Sequence, residues 1–189
     1  MSDGVVLRAD GERPADASGA VVETPLPVIV TITAYNKTVL STGGGGLAGT
    51  DPSYLVKRGY VQVTVDARGT GSSRGRWKAF GARENQDGGE IMEWAASQPW
   101  SDGTTGMTGP SYMGISQLWA AAAKPTGLKA IFPQVPGADV YRDVVASGGQ
   151  LDVGFIPLWL GLVTLTGLIP PMTPPTDASP LTTLIEHLV

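Results

Sequence analysis

The chain has 189 residues, of which 42% are hydrophobic and 16% charged, and its formal net charge is −4. This length predicts one domain with a sizeable core, and the composition argues against disorder. The 13 basic residues are scattered along the chain, which argues against binding to nucleic acid. There is no cysteine and one histidine, so disulfides, thiolate catalysis and Cys- or His-rich metal sites are excluded, and we expect no metal and no cofactor.

Hydrophobic patterning and turn residues predict strands that alternate with helices along the chain. The predicted strands lie at 5–9, 27–34, 60–67, 106–108 and 128–135. The predicted helices lie at 52–58, 85–97, 112–123 and 181–189, the last capped by Ser179. The predicted connections are a loop or hairpin at 13–24, the glycine run at 43–46 and a linker at 170–180. This alternation predicts an α/β fold with a mostly parallel, doubly wound sheet, whose chemistry lies beyond the carboxyl ends of its strands.

The region after Gly137 loses this regular alternation and becomes apolar, with many glycines and prolines. Residues 153–169 are uncharged throughout, near the lower length limit of a membrane-spanning helix. Pro157 and three glycines interrupt this run, which favours a buried or lid helix over a membrane span and leaves the span as the alternative. The N-terminus lacks the basic and apolar regions of a signal peptide, which predicts a cytoplasmic protein with no membrane partner.

The segment Gly-Pro-Ser-Tyr-Met-Gly at 109–114 lies between a predicted strand and a predicted helix. A serine at such a turn is typical of a nucleophile elbow, which exposes the hydroxyl of Ser111 and aims the backbone N–H of Tyr112 at a developing oxyanion. A generic G-x-S-x-G motif has glycine where Met113 stands, and serine is also a favourable helix N-cap. The motif alone therefore leaves both roles open for Ser111.

Three further features are weaker when each is taken alone. Glycines at 69, 71 and 75 follow a strand, but the last is one residue late for a dinucleotide fingerprint, which argues against nucleotide binding. Tyr35 follows the strongest strand, where its phenol either faces a site or covers the sheet edge, and the residue alone favours covering. His187 has apolar neighbours, which favours packing over a role as catalytic base.

Five ordered segments together resemble the X-Pro dipeptidyl-peptidase/cocaine-esterase-like hydrolases, the CocE/NonD family. These segments are 1–7, 33–37, 66–75, 93–100 and 106–114, and the resemblance covers nearly all of residues 1–150. It implies an α/β-hydrolase fold with a helical cap after the sixth strand and a C-terminal jelly-roll domain. It also implies cleavage of esters or amides, which in some members releases X-Pro dipeptides or involves β-lactam acyl groups. We therefore expect a partial, truncated α/β-hydrolase core at 1–140 and the start of the helical cap at 141–189.

The resemblance also assigns roles to individual residues. It implies that Ser111 is the nucleophile and that the Tyr35 hydroxyl and the Tyr112 backbone N–H form the oxyanion hole, which reverses the covering interpretation of Tyr35. The family pattern G-x-S-Y-x-G accounts for the late glycine, Gly114. Four residues depart from the family pattern: Ala34, Pro110 and the pair Gly11-Glu12.

The resemblance places the catalytic acid and base after the cap, and we expect this chain to end inside the cap. His187, Asp139, Asp143 and Asp152 match neither role. We expect a serine hydrolase that cleaves a small ester or amide, peptides included, through an acyl-enzyme. The acid and base are then expected from beyond Val189 or from a complementing chain. The alternative is an inert fragment or pseudoenzyme.

Two properties are expected of the 189 residues on their own. Without a base, turnover should be negligible, because loss of the base in comparable triads lowers kcat by roughly a millionfold. The last strand should keep an unpaired edge and the apolar cap run should lack cover, so we expect self-association or aggregation.

Overall fold

The computed structural model describes residues 1–42, 52–169 and 179–188, and its centre is a five-stranded sheet. The strands are β1 (Ala9–Glu12), β2 (Leu26–Thr33), β3 (Val61–Asp66), β4 (Ser101–Pro110) and β5 (Leu128–Gln134). Their order in the sheet is β1-β3-β2-β4-β5, and β1 is antiparallel to β3 while the other neighbours are parallel. The predicted α/β class with a mostly parallel sheet is confirmed.

Six α-helices accompany the sheet in the described part of the chain. They are α1 (Lys37–Thr42), α2 (Pro52–Val56), α3 (Ala82–Ala96), α4 (Tyr112–Ala122), α5 (Phe155–Leu168) and α6 (Pro180–Leu188). A π-helical turn at Tyr141–Val145 and a 3₁₀ turn at Ser147–Gly149 lead from the sheet to α5. The segments at 1–140 and 141–189 remain a predicted division into core and cap.

The core lies where β2 and β4 meet α3 and α4, and it continues into β3. Val28, Val30 and Val63 are buried almost completely, as near-continuous runs of β-branched residues in parallel strands predict. Small residues let α3 and α4 approach closely, since a Cβ added at Gly89 would lie 2.8 Å from the Cβ of Ala123. The two helices thereby form a tightly packed layer.

The winding of the sheet reverses between β2 and β4. From β2 the chain passes to β3 on one side, whereas β4 and β5 follow on the other side of β2. The carboxyl ends of β2 and β4 therefore meet at a topological switch point, where open α/β sheets place their ligands. This arrangement brings the residues that follow Thr33 and Pro110 next to each other.

Most predicted elements are confirmed, and the differences have physical causes. The strand predicted at 106–108 extends over all of β4, because the polar start at Ser101 pairs with Leu26 of β2. The strand predicted at 5–9 begins its ladder with β3 only at Ala9. Helix α1 was not predicted. The glycine run at 43–46 and most of the predicted linker lie outside the described residues.

The apolar run after the core forms a surface helix. In α5, Val163 is buried, while Leu158 and Leu165 are 73% and 67% exposed. No helix in the described ranges is both long and apolar enough to span a bilayer. The predicted cap of α6 is confirmed, because the Oγ of Ser179 accepts the N–H of Thr182 at 3.1 Å.

Candidate active site

Ser111 lies at the sharp turn between β4 and α4, with φ 56° and ψ −124°. A positive φ is strained for a residue with a Cβ, and such strain clusters at functional sites. Its N–H donates to the carbonyl of Gln134 on β5 at 3.0 Å, and its own carbonyl accepts the N–H of Gly114 at 2.8 Å. The backbone is thus held from both sides. The side chain makes no capping hydrogen bond, so the hydroxyl stays available for a substrate.

Two glycines make room for this turn. Gly109 has φ 141°, and a Cβ there would lie 2.6 Å from the Cβ of Met113. A Cβ at Gly114 would lie 2.6 Å from the carbonyl oxygen of Gln134. Helix α4 therefore approaches the strand ends too closely for any side chain at these positions, which gives the late glycine at 114 a steric explanation.

Tyr35, just beyond the end of β2, brings its hydroxyl oxygen to 3.3 Å from the Oγ of Ser111. The segment that carries it is anchored by the buried carboxylate of Asp66, which accepts the N–H of Lys37 at 2.7 Å and that of Ser72 at 2.8 Å. Burial raises the pKa of Asp66 to about 6, although these two N–H groups and the charge of Lys37 lower it. Asp66 therefore fixes the Tyr35 segment and the following glycine-rich loop to each other.

Tyr112 is the first residue of α4, so its backbone N–H has no acceptor within the helix. The aligned peptide dipoles place partial positive charge at this helix end, which favours an anion beside Ser111. The ring of Tyr112 is buried and lies with its centroid 5.0 Å from Phe80 and 6.1 Å from Tyr35. The structure thus brings the three predicted site residues together around one hydroxyl group.

An apolar cavity of about 350 Å³ opens beside Ser111. Its lining includes Phe80, Ile115, Val144, Phe155, Trp159 and Leu160. Side chains of α5 form one wall of the cavity, where Trp159 stacks on Phe80 with ring centroids 5.8 Å apart and planes 3° apart. A substrate group that sits here would be surrounded largely by aromatic and aliphatic surface.

Phe80 has a positive φ of 60°, which the carboxyl group of Glu84 helps to hold. The N–H of Phe80 donates to the Oε2 of Glu84 at 2.6 Å. Burial and, to a smaller extent, the charge of Asp87 raise the pKa of Glu84 to about 8, although the hydrogen bond from the Phe80 N–H lowers it. At neutral pH this carboxyl group is therefore mainly protonated, and it supports one wall of the cavity.

His187 lies on α6 and does not contact Ser111. Its Nε2 is 2.7 Å from the carbonyl oxygen of Ser73, and its Nδ1 is 3.1 Å from that of Gly167. Both ring nitrogens thus face backbone acceptors, which ties α6 to α5 and to the glycine-rich loop. Within the described ranges, no group of three or more His, Asp or Glu side chains could hold a metal ion.

The sequence did not single out two residues that complete the surroundings of Tyr35. The indole Nε1–H of Trp159 donates to the Tyr35 hydroxyl oxygen at 3.0 Å. The side chain of Asn36, almost completely buried, donates to the carbonyl of Thr166 at 3.2 Å. The only cue for Trp159 was an aromatic N–H within the apolar run of residues 153–169, and no motif connects it to Tyr35.

Comparison with known proteins identifies the family of the chain. The sequence model of the X-Pro dipeptidyl-peptidase (S15) family matches residues 3–179. A cocaine esterase from Rhodococcus sp. (strain MB1 Bresler) is 36% identical over 181 residues, which cover 95% of this chain and 29% of that protein. A putative serine esterase from Mycobacterium bovis is 31% identical over 172 residues, 84% of this chain and 27% of that protein.

A solved structure shows the same fold. The CocE/NonD family hydrolase from Staphylococcus aureus superposes with a TM-score of 0.77 at 31% identity, covering 88% of this chain and 32% of that chain. The predicted family resemblance is confirmed. The chain spans under a third of the length of these curated relatives.

Proposed function

This chain belongs to the X-Pro dipeptidyl-peptidase (S15) family, and on that premise we propose that it carries the nucleophile and oxyanion hole of a serine hydrolase. The substrate is a small ester or amide. The observation that carries the proposal is the strained turn at Ser111, whose hydroxyl oxygen makes no capping bond and lies 3.3 Å from the phenol of Tyr35.

In the proposed reaction, the Oγ of Ser111 attacks the substrate carbonyl carbon while a general base takes the hydroxyl proton. The carbonyl oxygen becomes an oxyanion, which accepts hydrogen bonds from the Tyr35 hydroxyl and the Tyr112 N–H. The bond to the alcohol or amine then breaks, and the base returns the proton to that leaving group. Water then attacks the acyl-Ser111 ester while the same base takes a proton from the water. The acid product leaves, and the base returns the proton to the Oγ of Ser111.

We assign the base to an imidazole and its partner acid to a carboxylate that both lie outside these 189 residues, on further polypeptide or on a complementing chain. The reason is that the sequence contains one histidine, and both its ring nitrogens face the carbonyl oxygens of Ser73 and Gly167. The nucleophile and the oxyanion donors therefore form one part of the site, and the proton-transfer groups form a second part.

The apolar cavity beside Ser111 favours a substrate with an apolar group of about the size of an aromatic ring. Phe80 and Trp159 stack on each other and, with the aliphatic side chains around them, present apolar surface to such a group. Burying apolar substrate surface here stabilises the complex by about 25 cal/mol per Å². This preference applies equally to an esterase and to a peptidase.

A fluorophosphonate tests the proposal, because it phosphonylates an activated serine and releases fluoride. We expect a slow adduct on Ser111, since the oxyanion donors remain and the probe brings a good leaving group, while ester turnover by the 189 residues alone is negligible. Intact mass measures the adduct. Ser111→Ala should abolish it, whereas Ser116→Ala, on the same helix, should react like the wild type. A wild-type chain without an adduct would refute the proposal and favour an inert protein.

A further inference from the structure

Trp159 makes a hydrogen bond whose direction is fixed by its chemistry. An indole N–H is a donor only, so at 3.0 Å from Nε1 the hydroxyl oxygen of Tyr35 is the acceptor. The same oxygen lies 3.3 Å from the Oγ of Ser111, and either of those two hydroxyls could donate to the other. Trp159 therefore uses one acceptor position of the Tyr35 oxygen.

This contact favours one direction for the second hydrogen bond. With its oxygen already accepting from Trp159, Tyr35 satisfies its remaining group by donating its O–H toward Ser111. That is the direction an oxyanion hole needs, because the hydrogen already points at the reacting centre. It also leaves the proton of Ser111 free for a base. Accepting one hydrogen bond moreover polarises the Tyr35 O–H and makes it a stronger donor.

The position of the indole is held by its neighbours. Trp159 stacks on Phe80, and its ring meets Trp77 edge to face with centroids 5.7 Å apart and planes 62° apart. A second contact fixes α5 about two turns further on, where Asn36, the residue after Tyr35, donates to the carbonyl of Thr166. Two hydrogen bonds, at Trp159 and at Thr166, therefore hold α5 against the segment that carries Tyr35.

We infer that Trp159 is a positioning residue that sets Tyr35 as the hydrogen-bond donor to the reacting centre at Ser111. The inference rests on the proposed function, since it assigns an orientation to the proposed oxyanion hole. It assigns a task to the cap helix α5 besides enclosing the cavity.

The rate of Ser111 phosphonylation by a fluorophosphonate tests the inference. We expect Trp159→Phe, which keeps a ring and loses the N–H, to slow the adduct about tenfold, the effect of one lost neutral hydrogen bond. Trp94→Phe, on α3, is the matched control and should leave the rate unchanged. In a Tyr35→Phe background, Trp159→Phe should cause no further slowing, because the two residues act through one hydroxyl.

The other outcomes would overturn either the inference alone or the proposed function together with it. An unchanged rate in Trp159→Phe, or an equal slowing with and without the Tyr35 hydroxyl, would overturn the inference alone and leave Trp159 a packing residue. A wild-type protein that forms no adduct would overturn the proposed function and the inference with it.

NMR provides a measurement that does not depend on reactivity. The indole N–H resonance missing in Trp159→Phe identifies Trp159, and in Tyr35→Phe this resonance should move upfield and exchange faster with solvent. A resonance unaffected by Tyr35→Phe would show that the hydrogen bond is absent and would overturn the inference.

Discussion

The carboxyl group of Glu84 should make the stability of the fold depend on pH, and Glu84→Gln should remove that dependence. Its Oε2 accepts the N–H of Phe80 at 2.6 Å, and its Oε1 is buried as well. A glutamine keeps an oxygen acceptor for Phe80 and cannot ionise. It therefore imitates the protonated carboxyl group at every pH.

The size of the effect follows from the two pKa values. Burial raises the pKa of Glu84 in the folded chain to about 8 from an ordinary 4.5. Between these values the folded state holds a proton that the unfolded state has released, so stability falls as pH rises. The loss is about 1.4 kcal/mol per pH unit, and it reaches about 3 kcal/mol at pH 7. Above the folded pKa the difference between variant and wild type becomes constant.

Urea denaturation of wild type and Glu84→Gln from pH 4 to pH 9 measures this difference. We expect the variant to match the wild type near pH 4 and to become progressively more stable than it up to about pH 8. Glu90→Gln, on the same helix, is the control. Burial raises the pKa of Glu90, but hydrogen bonds from Ser2 and the charge of Arg83 outweigh it and leave the pKa below its ordinary value. Glu90→Gln should therefore show no such rise. A difference for Glu84→Gln that does not vary with pH would refute the reasoning.

Two further substitutions test the packing around the site. Gly114→Ala should destabilise the fold by about 2–3 kcal/mol, because its Cβ would lie 2.6 Å from the carbonyl oxygen of Gln134. Gly11 has open space around it, so Gly11→Ala should change the free energy of unfolding by under about 0.5 kcal/mol. Equal effects of the two substitutions in urea denaturation would contradict the steric explanation. Arg68→Lys should lower the free energy of unfolding by about 3 kcal/mol. The guanidinium of Arg68 donates to both carboxylate oxygens of the buried Asp87 at 2.7 Å, and an ammonium group cannot replace this bidentate pair. The exposed pair of Arg142 with Asp139 is the control, and Arg142→Lys should be nearly neutral in thermal unfolding; a similarly small change for Arg68→Lys would show that the bidentate pair does not contribute.

Local sequence patterns were sufficient for the parts of the fold that depend on neighbouring residues. The β-branched runs of β2 and β3 and the periodic apolar positions of α3 follow from side chains close in the chain. The polar start of β4 was missed, because its strand character comes from pairing with Leu26, which is remote in sequence. Similarly, Ser101–Thr104 contain turn-forming residues that local reasoning assigns to a loop.

In the candidate site, too, local sequence patterns predicted the turn, and contacts between remote segments were missed. The glycines and the serine of residues 109–114 signalled a turn, yet the segment alone left Ser111 open between nucleophile and N-cap. The covering interpretation of Tyr35 failed to foresee its contact with Ser111, since adjacency of β2 and β4 is a property of sheet order. Trp159 and Glu84 were not predicted, because their contacts depend on where α5 and the Phe80 segment settle on the core.

The groups that orient Ser111 are independent of any proton-transfer group. The strained turn is held by the Gln134 carbonyl and by the close approach of α4 at Gly109 and Gly114. Other contacts hold Tyr35: Asp66 anchors its segment through the N–H of Lys37, and Trp159 on α5 donates to its hydroxyl oxygen. None of these contacts involves an imidazole, so the proposed nucleophile and the proposed oxyanion donors are held in place whether or not a base is present. For this reason, an absent base should lower turnover far more than it lowers reaction with an activated phosphonate, and the ratio of the two rates measures how complete the site is.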